Sequence, residues 1–200
     1  MKVVKRIYPI GAIVSLTIVL AFINISCQYD YRSPLPGMIE VRLRTISQNI
    51  EITKFTNFTI KVDKIKAIRS DGGILKVFED SKIIESPNQI TTIVVNALDS
   101  LAIKGNLIIG QAYAPPGDYT GCDFQIEPGG TVILGSNVDE QQPVPVRKSE
   151  TYQSVFHKDI SFHVGESQTT KIILVLDLDK SLVKGAYNYT FISQYEIMIQ

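Results

Sequence analysis

Cysteine is scarce in this chain, and its scarcity excludes a fold that depends on several disulfides. The 200 residues contain two cysteines, Cys27 and Cys122. If Cys27 carries a lipid, Cys122 has no cysteine left to pair with. Because Cys122 alternates with Phe124 and Ile126, we expect it to be a small, buried and unreactive residue of the core.

Positive charge is not in excess beyond residue 26. That part of the chain holds all 20 acidic residues but only 17 of the 20 lysines and arginines, because Lys2, Lys5 and Arg6 precede it. Its formal charge, 17 cations against 20 acids, is therefore −3. Since binding to nucleic acid depends on clustered cations, nucleic acid is not expected as a partner.

Motifs of the common enzyme classes are absent as well. No Gly-x-Ser-x-Gly elbow occurs, and no glycine-rich loop follows a strand and opens a helix. The two histidines, His157 and His163, have no serine pattern of a catalytic triad beside them. We therefore expect no enzymatic activity, no catalytic residues and no cofactor.

What the sequence does contain is a strongly apolar N-terminal segment. The basic stretch Lys2–Arg6 is followed by the apolar stretch Ile7–Ile25, which ends at Ser26-Cys27. This order of regions has the anatomy of a secretory signal. A small residue directly before a cysteine resembles the bacterial lipoprotein signal, in which cleavage occurs before a lipidated cysteine. An uncleaved membrane anchor and an ordinary secretory signal are the alternatives, because Asn24 stands where that pattern usually has leucine.

The resemblance to a lipoprotein signal implies a division of the chain into three parts. Residues 1–26 are the signal peptide, residues 27–36 are the lipidated cysteine and a flexible tether, and residues 37–200 are the folded domain. Lipid on Cys27 is then the attachment to the membrane, since two or more acyl chains anchor a protein stably. Gln28, rather than aspartate, follows the cysteine, which fits sorting to the outer membrane of the bacterial cell envelope.

Beyond the tether, apolar and polar residues alternate with the period of a β-strand. In MIEVRLRTI the apolar side chains share one face, so this strand is expected to be half-buried, with Glu40, Arg42 and Arg44 on the solvent side. The next strand loses its alternation after Val62, which predicts a bulge. A hairpin turn is expected at Asp71–Gly73, where the residues tolerate positive φ.

The second half of the chain continues this pattern. YTGCDFQIEPGGTVIL predicts two strands joined by a turn at Pro128–Gly130, and SNVDEQQPVPVRKSET predicts a polar loop. YNYTFISQYEIMI predicts one final strand. Because roughly nine or ten short strands occur and no helical period is sustained, the domain is expected to be a single all-β sandwich.

Two segments carry a resemblance to a known family. PPGDYTGCDFQIEP, Pro115–Pro128, resembles the P-x-G-x-Y strand entry of transthyretin-like, or prealbumin-like, sandwiches. Together with Thr169–Ile199 it is similar to the domain of unknown function 4382 family of bacterial lipoproteins and secreted proteins. In that family a phrase similar to Leu176–Val183 joins the last two strands. The resemblance implies a transthyretin-like (immunoglobulin-like) sandwich and brings no established activity.

Two groups of side chains have the chemistry of metal ligands. His157, Asp159 and His163 share a parity in one predicted strand, but the histidines are ~20 Å apart at 3.3 Å per residue, too far to share an ion. They are therefore expected to lie on a solvated strand face. Asp177 and Asp179 are two apart and are the calcium candidates, with bonds to the turn backbone as the alternative that we favour. We expect no metal site.

Aromatic residues repeat near the C-terminus. Tyr187, Tyr189, Phe191 and Tyr195 are expected on one face of the final strand. Such a row is either a platform on which sugars stack or the core side of the strand, and the core side is the more frequent arrangement.

Taken together, these patterns predict a non-enzymatic lipoprotein of the cell envelope, in which a β-sandwich serves as a binding or structural module. Its partners are expected to be the membrane, through the lipid, and a protein or glycan ligand at the cell surface. The alternative is a fimbrillin-like subunit that assembles through its edge strands. A calcium- or glycan-binding module is a further alternative.

Overall fold

The computed structural model describes residues 33–48, 55–79, 93–135 and 142–200. Its folded unit, Leu35–Gln200, contains twelve strands and two four-residue helical turns within those ranges. Two sheets pack face to face, which confirms the prediction of an all-β sandwich. The finer prediction of a transthyretin-like sandwich stays a prediction. The predicted signal peptide, residues 1–26, and Cys27 lie outside the described residues.

The strands form two mixed sheets. The four-stranded sheet contains β1 (Gly37–Ile46), β5 (Leu107–Ala114), β9 (Thr169–Asp177) and β12 (Tyr195–Ile199), in the order β12-β9-β1-β5. The eight-stranded sheet contains β2 (Phe55–Arg69), β3 (Ile74–Glu79), β4 (Ile93–Asn96), β6 (Gly117–Leu134), β7 (Gln142–Lys148), β8 (Val155–Val164), β10 (Leu182–Lys184) and β11 (Tyr189–Phe191). Its main path is β10-β11-β7-β6-β2-β3, with β4 beside β2 and β8 beside β6. The helical turns are α1 (Ser100–Ile103) and α2 (Leu178–Ser181).

Strand β1 lies inside the four-stranded sheet, between antiparallel β5 and parallel β9. Its apolar residues Ile39, Val41 and Leu43 are fully buried in the core, as the alternation predicts. Glu40 is where the prediction is wrong, because this residue is 7% exposed rather than solvated. The neighbouring strands flank it on both sides, and its carboxylate accepts a hydrogen bond from Nε of Arg42 at 2.5 Å.

The hairpin between β2 and β3 confirms the predicted turn. Gly72 has a φ of 84°, a conformation that suits glycine, and the amide of Gly73 donates to Oδ1 of Asp71 at 2.9 Å. The predicted bulge is also present, since the register between β2 and β6 shifts between Val62 and Lys64. The shift lets Val62 and Ile65, which are separated by two residues, both point into the core.

Strand β6 corrects the prediction of a turn at Pro128–Gly130. The strand runs unbroken over 18 residues, and the register with β2 shifts where the two glycines lie. At Gly129 the backbone passes so close to Thr59 that a Cβ would lie 2.9 Å from its carbonyl oxygen. Gly129 therefore allows a close approach of β6 to β2 beside a shift of register, and the chain does not reverse here.

The predicted polar loop over residues 136–151 is wrong at Gln142–Lys148, which forms β7. Pro143 and Pro145 are exposed, while Val144 packs against the core and Val146 is buried in it. This alternation with period two is the strand signal that the prolines obscured. Residues 136–141 lie outside the described part of the chain.

The predicted final strand is two strands in different sheets. Tyr189–Phe191 forms β11, which pairs with β7 and β10, whereas Tyr195–Ile199 forms β12, which pairs with β9. The chain therefore crosses from one sheet to the other between residues 191 and 195, and the amide of Ile192 donates to the carbonyl of Ser181 at 2.8 Å. The phrase Leu176–Val183 accordingly leads into β10, with two further strands after it, and does not join the last two strands.

The core confirms the predicted burial of Cys122, whose side chain is 0% exposed. Burial is the main reason that the pKa of its thiol rises to about 12, and the negative charge of Asp123 adds to the effect. Tyr119, the tyrosine of the P-x-G-x-Y stretch, is 1% exposed and donates from its hydroxyl to the carbonyl of Pro115 at 3.0 Å. This bond ties the start of β6 to the segment that precedes it.

Candidate functional site

Asp177, the first of the two calcium candidates, caps the helical turn α2. Its Oδ1 accepts hydrogen bonds from the amides of Asp179 and Lys180, at 3.1 and 3.3 Å. Its other oxygen pairs with Nζ of Lys180 at 2.9 Å. These contacts are those of an N-cap residue, which satisfies amides that a helix leaves without partners at its start.

Asp179, the second candidate, connects the turn to the end of β1. Its Oδ1 accepts from the hydroxyl of Ser47 at 2.9 Å, and its Oδ2 accepts from the amide of Gln48 at 2.5 Å. Because β1 and β9 are parallel, their carboxyl ends meet at the same edge of the sheet, which brings Ser47 and Asp179 together across 132 positions of sequence. Asp179 thus holds the end of one strand against the turn that follows the other.

A cavity of about 350 Å³ lies at this edge of the sheet. Its lining residues come from the ends of β1 and β9 and from α2: Ile46, Ser47, Gln48, Asp177, Asp179 and Lys180. Both carboxylates are engaged with amides, a hydroxyl or an ammonium group, so a bound cation would have to compete with those donors. For Asp177 the geometry matches the favoured alternative, a bond to the backbone of the turn, whereas Asp179 bonds to the segment that follows β1.

The histidine row lies where the sequence places it, on the outward face of β8. His157, Asp159, Ser161 and His163 are exposed, and their neighbours Phe156, Ile160 and Phe162 turn inward. The two histidines have different partners on β6. Nδ1 of His163 lies 2.8 Å from a carboxylate oxygen of Asp118, and Nδ1 of His157 lies 2.7 Å from one of Asp123.

His157 has a second carboxylate on its other side. Its Nε2 lies 3.0 Å from Oδ1 of Asp159, so both ring nitrogens face carboxylates. The pKa of the imidazole is raised, first by the hydrogen bond to Asp123 and then by the bond to Asp159, while partial burial acts in the opposite direction. The arrangement favours the charged form of His157.

The aromatic row is divided between the core and the surface. Tyr189, Phe191 and Tyr195 are between 0% and 6% exposed and belong to the core, whereas Tyr187 is 92% exposed in the connection before β11. Three of the four rings therefore occupy the core side, the more frequent arrangement, and they do not form a sugar platform. Tyr187 is left as a single exposed ring.

The sequence pattern did not predict that Asp118 and Asp123 lie beside the two histidines. Asp118 precedes His163 by 45 positions, and Asp123 precedes His157 by 34 positions. The alternation along β6 is enough to predict that Asp123 faces outward. The register of β6 against β8, which makes His163 the partner of Asp118 and His157 the partner of Asp123, supplies the missing information. Alternation predicts faces, but it does not predict register.

Within the ranges that the structure describes, no three side chains of His, Cys, Asp or Glu are arranged so that they could hold a metal ion. The described helices include none that is both long and apolar enough to cross a membrane. Comparisons with protein-family models, with curated proteins and with solved structures found no match to this chain.

Proposed function

We propose that the chain is a lipid-anchored protein of the bacterial cell envelope, and that its β-sandwich is a binding or structural module rather than an enzyme. The observation that carries the proposal is the N-terminal signal, in which a basic and then an apolar stretch ends at Ser26-Cys27. A tether of residues 27–36 would connect the lipid to the sandwich. Gln28 at the second position of the mature chain supports the outer membrane as its location.

The surroundings of His157 support a role other than catalysis. In a catalytic triad the histidine bonds to a carboxylate through one nitrogen and faces the nucleophile with the other. Here Asp123 holds one nitrogen and Asp159 the other, so a carboxylate occupies the place that a nucleophile would need. The contact of His157 with Asp123 is better explained as a link between the two strands β8 and β6.

The proposed ligand is a protein or a glycan at the cell surface. Tyr113 and Tyr187 are 78% and 92% exposed, and they extend from β5 and from the turn before β11. Exposed tyrosines combine an apolar ring with a polar hydroxyl, and they are frequent in interfaces with both kinds of ligand. They are the first positions at which to test loss of binding.

A subunit of a surface assembly is the second candidate function. Strands β12 and β5 end the four-stranded sheet, and Met198 of β12 is 43% exposed. An edge strand can pair with a strand of another chain through its backbone. A fimbrillin-like subunit would use such an edge for assembly.

Replacement of the cysteine tests the anchoring. Cys27→Ser removes the thiol that must be acylated, so the precursor should accumulate with residues 1–26 attached and should migrate as a larger species. Wild-type protein should incorporate labelled palmitate, and the variant should not. Equal mobility of the two forms, without lipid in either, would contradict the proposal and favour an uncleaved anchor.

The two candidate functions predict different effects of protein concentration on sedimentation. The chain from Gln28 onward should sediment as one species at every concentration if it is a binding module, and it should be retained on a glycan or protein array. Growth of larger species with concentration would instead favour the assembly subunit, and Met198→Lys should then suppress that growth.

A further inference from the structure

The outward face of β8 has an aspartate of β6 opposite each of its histidines. The register pairs His157 with Asp123 and His163 with Asp118. Within the described residues β8 pairs with β6 and with no other strand, so it is attached to its sheet along one edge. The side chains that bridge β6 and β8 on this face therefore affect how firmly β8 is held.

His157 needs two protons to make both of its contacts. Its ring nitrogens lie 2.7 Å from Asp123 and 3.0 Å from Asp159, and an ionised carboxylate can only accept a hydrogen bond. A neutral imidazole has one N–H, so it can donate to one of the two carboxylates and presents a lone pair to the other. Both bonds exist together only when His157 is the imidazolium ion.

The ring of His157 lies against β6 at Gly121, which has no side chain. A Cβ on Gly121 of β6 would lie 2.7 Å from Cε1 and 3.1 Å from Nε2 of His157. The imidazole thus lies over the backbone of β6, between its two carboxylates. A residue larger than glycine at this position would displace the ring.

The charged groups around His157 come from three strands. From β6 there is Asp123, from β2 there is Lys66, which is the register partner of Asp123, and from β8 itself there are Lys158 and Asp159. Asp118 and His163 form a separate pair further along the same two strands. In the described part of the chain, Asp123 and Asp159 are the two charged groups that move the pKa of His157, and both raise it.

The sign of the pH effect follows from that direction. Because the pKa in the folded strand pair lies above the ordinary value of about 6.5, the contacts contribute stability that is fully present below about pH 6.5. This stability is lost as the pH rises through the raised pKa. His163 contacts a carboxylate through one ring nitrogen only and lacks the second contact, so it serves as the matched control.

We propose that His157, Asp123 and Asp159, the His157 cluster, form a pH-dependent contact that holds β8 on β6 in mildly acidic surroundings and loosens as the pH rises. The inference does not depend on how the chain is anchored. Its consequence is that the local opening of an outer strand responds to the pH of the surrounding solution.

Hydrogen exchange of the full-length chain in detergent tests the proposal. Exchange would be followed from about pH 5.5 to about pH 8.5, on both sides of the ordinary histidine pKa, and corrected for intrinsic rates. The opening constant of β8 amides, relative to those of β9, should rise roughly twofold to fivefold, the range for exposed ion pairs. A ratio that does not change with pH would overturn the proposal.

Three variants separate the cluster from general effects of pH. His157→Gln should abolish the rise, and the matched change His163→Gln should leave most of it. Asp159→Asn tests the same cluster without risk to the fold, because the Asp159 side chain is 96% exposed, and it should reduce the rise. An undiminished rise in His157→Gln, or in Asp159→Asn if His157→Gln does not fold, would show that the cluster is not responsible.

Discussion

The rings of Phe156 and Tyr195 stack with their centroids 4.9 Å apart and their planes within 8° of parallel. Phe156 belongs to β8 of the eight-stranded sheet and Tyr195 to β12 of the four-stranded sheet, so the contact joins the two layers. Phe156 also stacks on Phe124 of β6 at 5.3 Å. A continuous series of three rings therefore runs from β6 through β8 to β12.

Removal of the central ring should destabilise the domain. Phe156→Ala breaks both stacking contacts and leaves a cavity, so we expect the free energy of unfolding to fall by about 2–4 kcal/mol. The control Val155→Ala changes a neighbouring side chain that is 55% exposed, and it should change stability by less than about 0.5 kcal/mol. Urea unfolding of the chain from Gln28 measures both. Equal effects of the two changes would contradict the role of the stack.

Two tyrosines with opposite hydrogen bonding give a matched pair of predictions. The hydroxyl of Tyr195 is buried and has no hydrogen-bond partner among the described residues, whereas that of Tyr152 donates to the carbonyl of Ile126. Tyr195→Phe should therefore raise the free energy of unfolding by about 1–2 kcal/mol, and Tyr152→Phe should lower it by about 1 kcal/mol. If Tyr195→Phe also lowers it, the hydroxyl has a partner in solution, such as a bound water.

Alternation along the chain was sufficient to predict the all-β class and many of the inward faces. The side chains of Ile39, Val41 and Leu43 point into the core, and the bulge after Val62 lies where the alternation is lost. Glu40 shows the limit of this reasoning. A strand pattern predicts which way a side chain points, but the position of that strand within the sheet decides whether the outward side is covered.

The errors at the C-terminus and around the histidines have one physical cause. The change of sheet between Phe191 and Tyr195, and the pairing of His157 with Asp123, depend on which strands are neighbours and in what register. Neighbours are selected by the packing of the whole core, and no local pattern contains that information.

Cys122 should react slowly with thiol reagents in the native protein. A pKa of about 12 lowers the thiolate fraction near pH 8 on the order of a thousandfold relative to an ordinary cysteine, and burial restricts access as well. The chain from Gln28 contains Cys122 as its one cysteine, so the labelling rate reports on this thiol directly. Native labelling at the rate of the unfolded chain would disprove the prediction. Cys122→Ser should cost about 1–3 kcal/mol, because it places a hydroxyl among apolar neighbours.

Calcium should leave the melting temperature unchanged. Calcium requires six to eight oxygen ligands, and the carboxylates of Asp177 and Asp179 are engaged with the ends of β1 and α2. Asp177→Ala, by contrast, should lower the free energy of unfolding by about 1 kcal/mol through loss of the cap. A rise of many degrees with millimolar calcium would contradict this reasoning. If that rise disappeared in Asp177→Asn, the carboxylate pair would be identified as the binding site.

The two adjacent glycines of β6 should respond differently to the same substitution. A Cβ at Gly129 would clash with Oγ1 of Thr59 and lie 2.9 Å from its carbonyl oxygen, whereas a Cβ at Gly130 would meet no atom within 4 Å. Gly129→Ala should therefore lower the free energy of unfolding by about 1–3 kcal/mol, because β2 and β6 would have to separate locally. Gly130→Ala should be neutral or stabilise by up to about 1 kcal/mol, since neither its space nor its φ excludes alanine.

Thermal or urea unfolding of the two variants decides between a strand and a turn at this position. In a turn that needed positive φ, Gly130→Ala would be costly, so a large loss at Gly130 would contradict the continuous strand β6. The double variant Thr59→Ala with Gly129→Ala removes one of the two clashing atoms, and it should recover part of the loss relative to the sum of the single changes. No recovery would mean that the carbonyl oxygen, and thus the backbone of β2 itself, sets the limit on the size of residue 129.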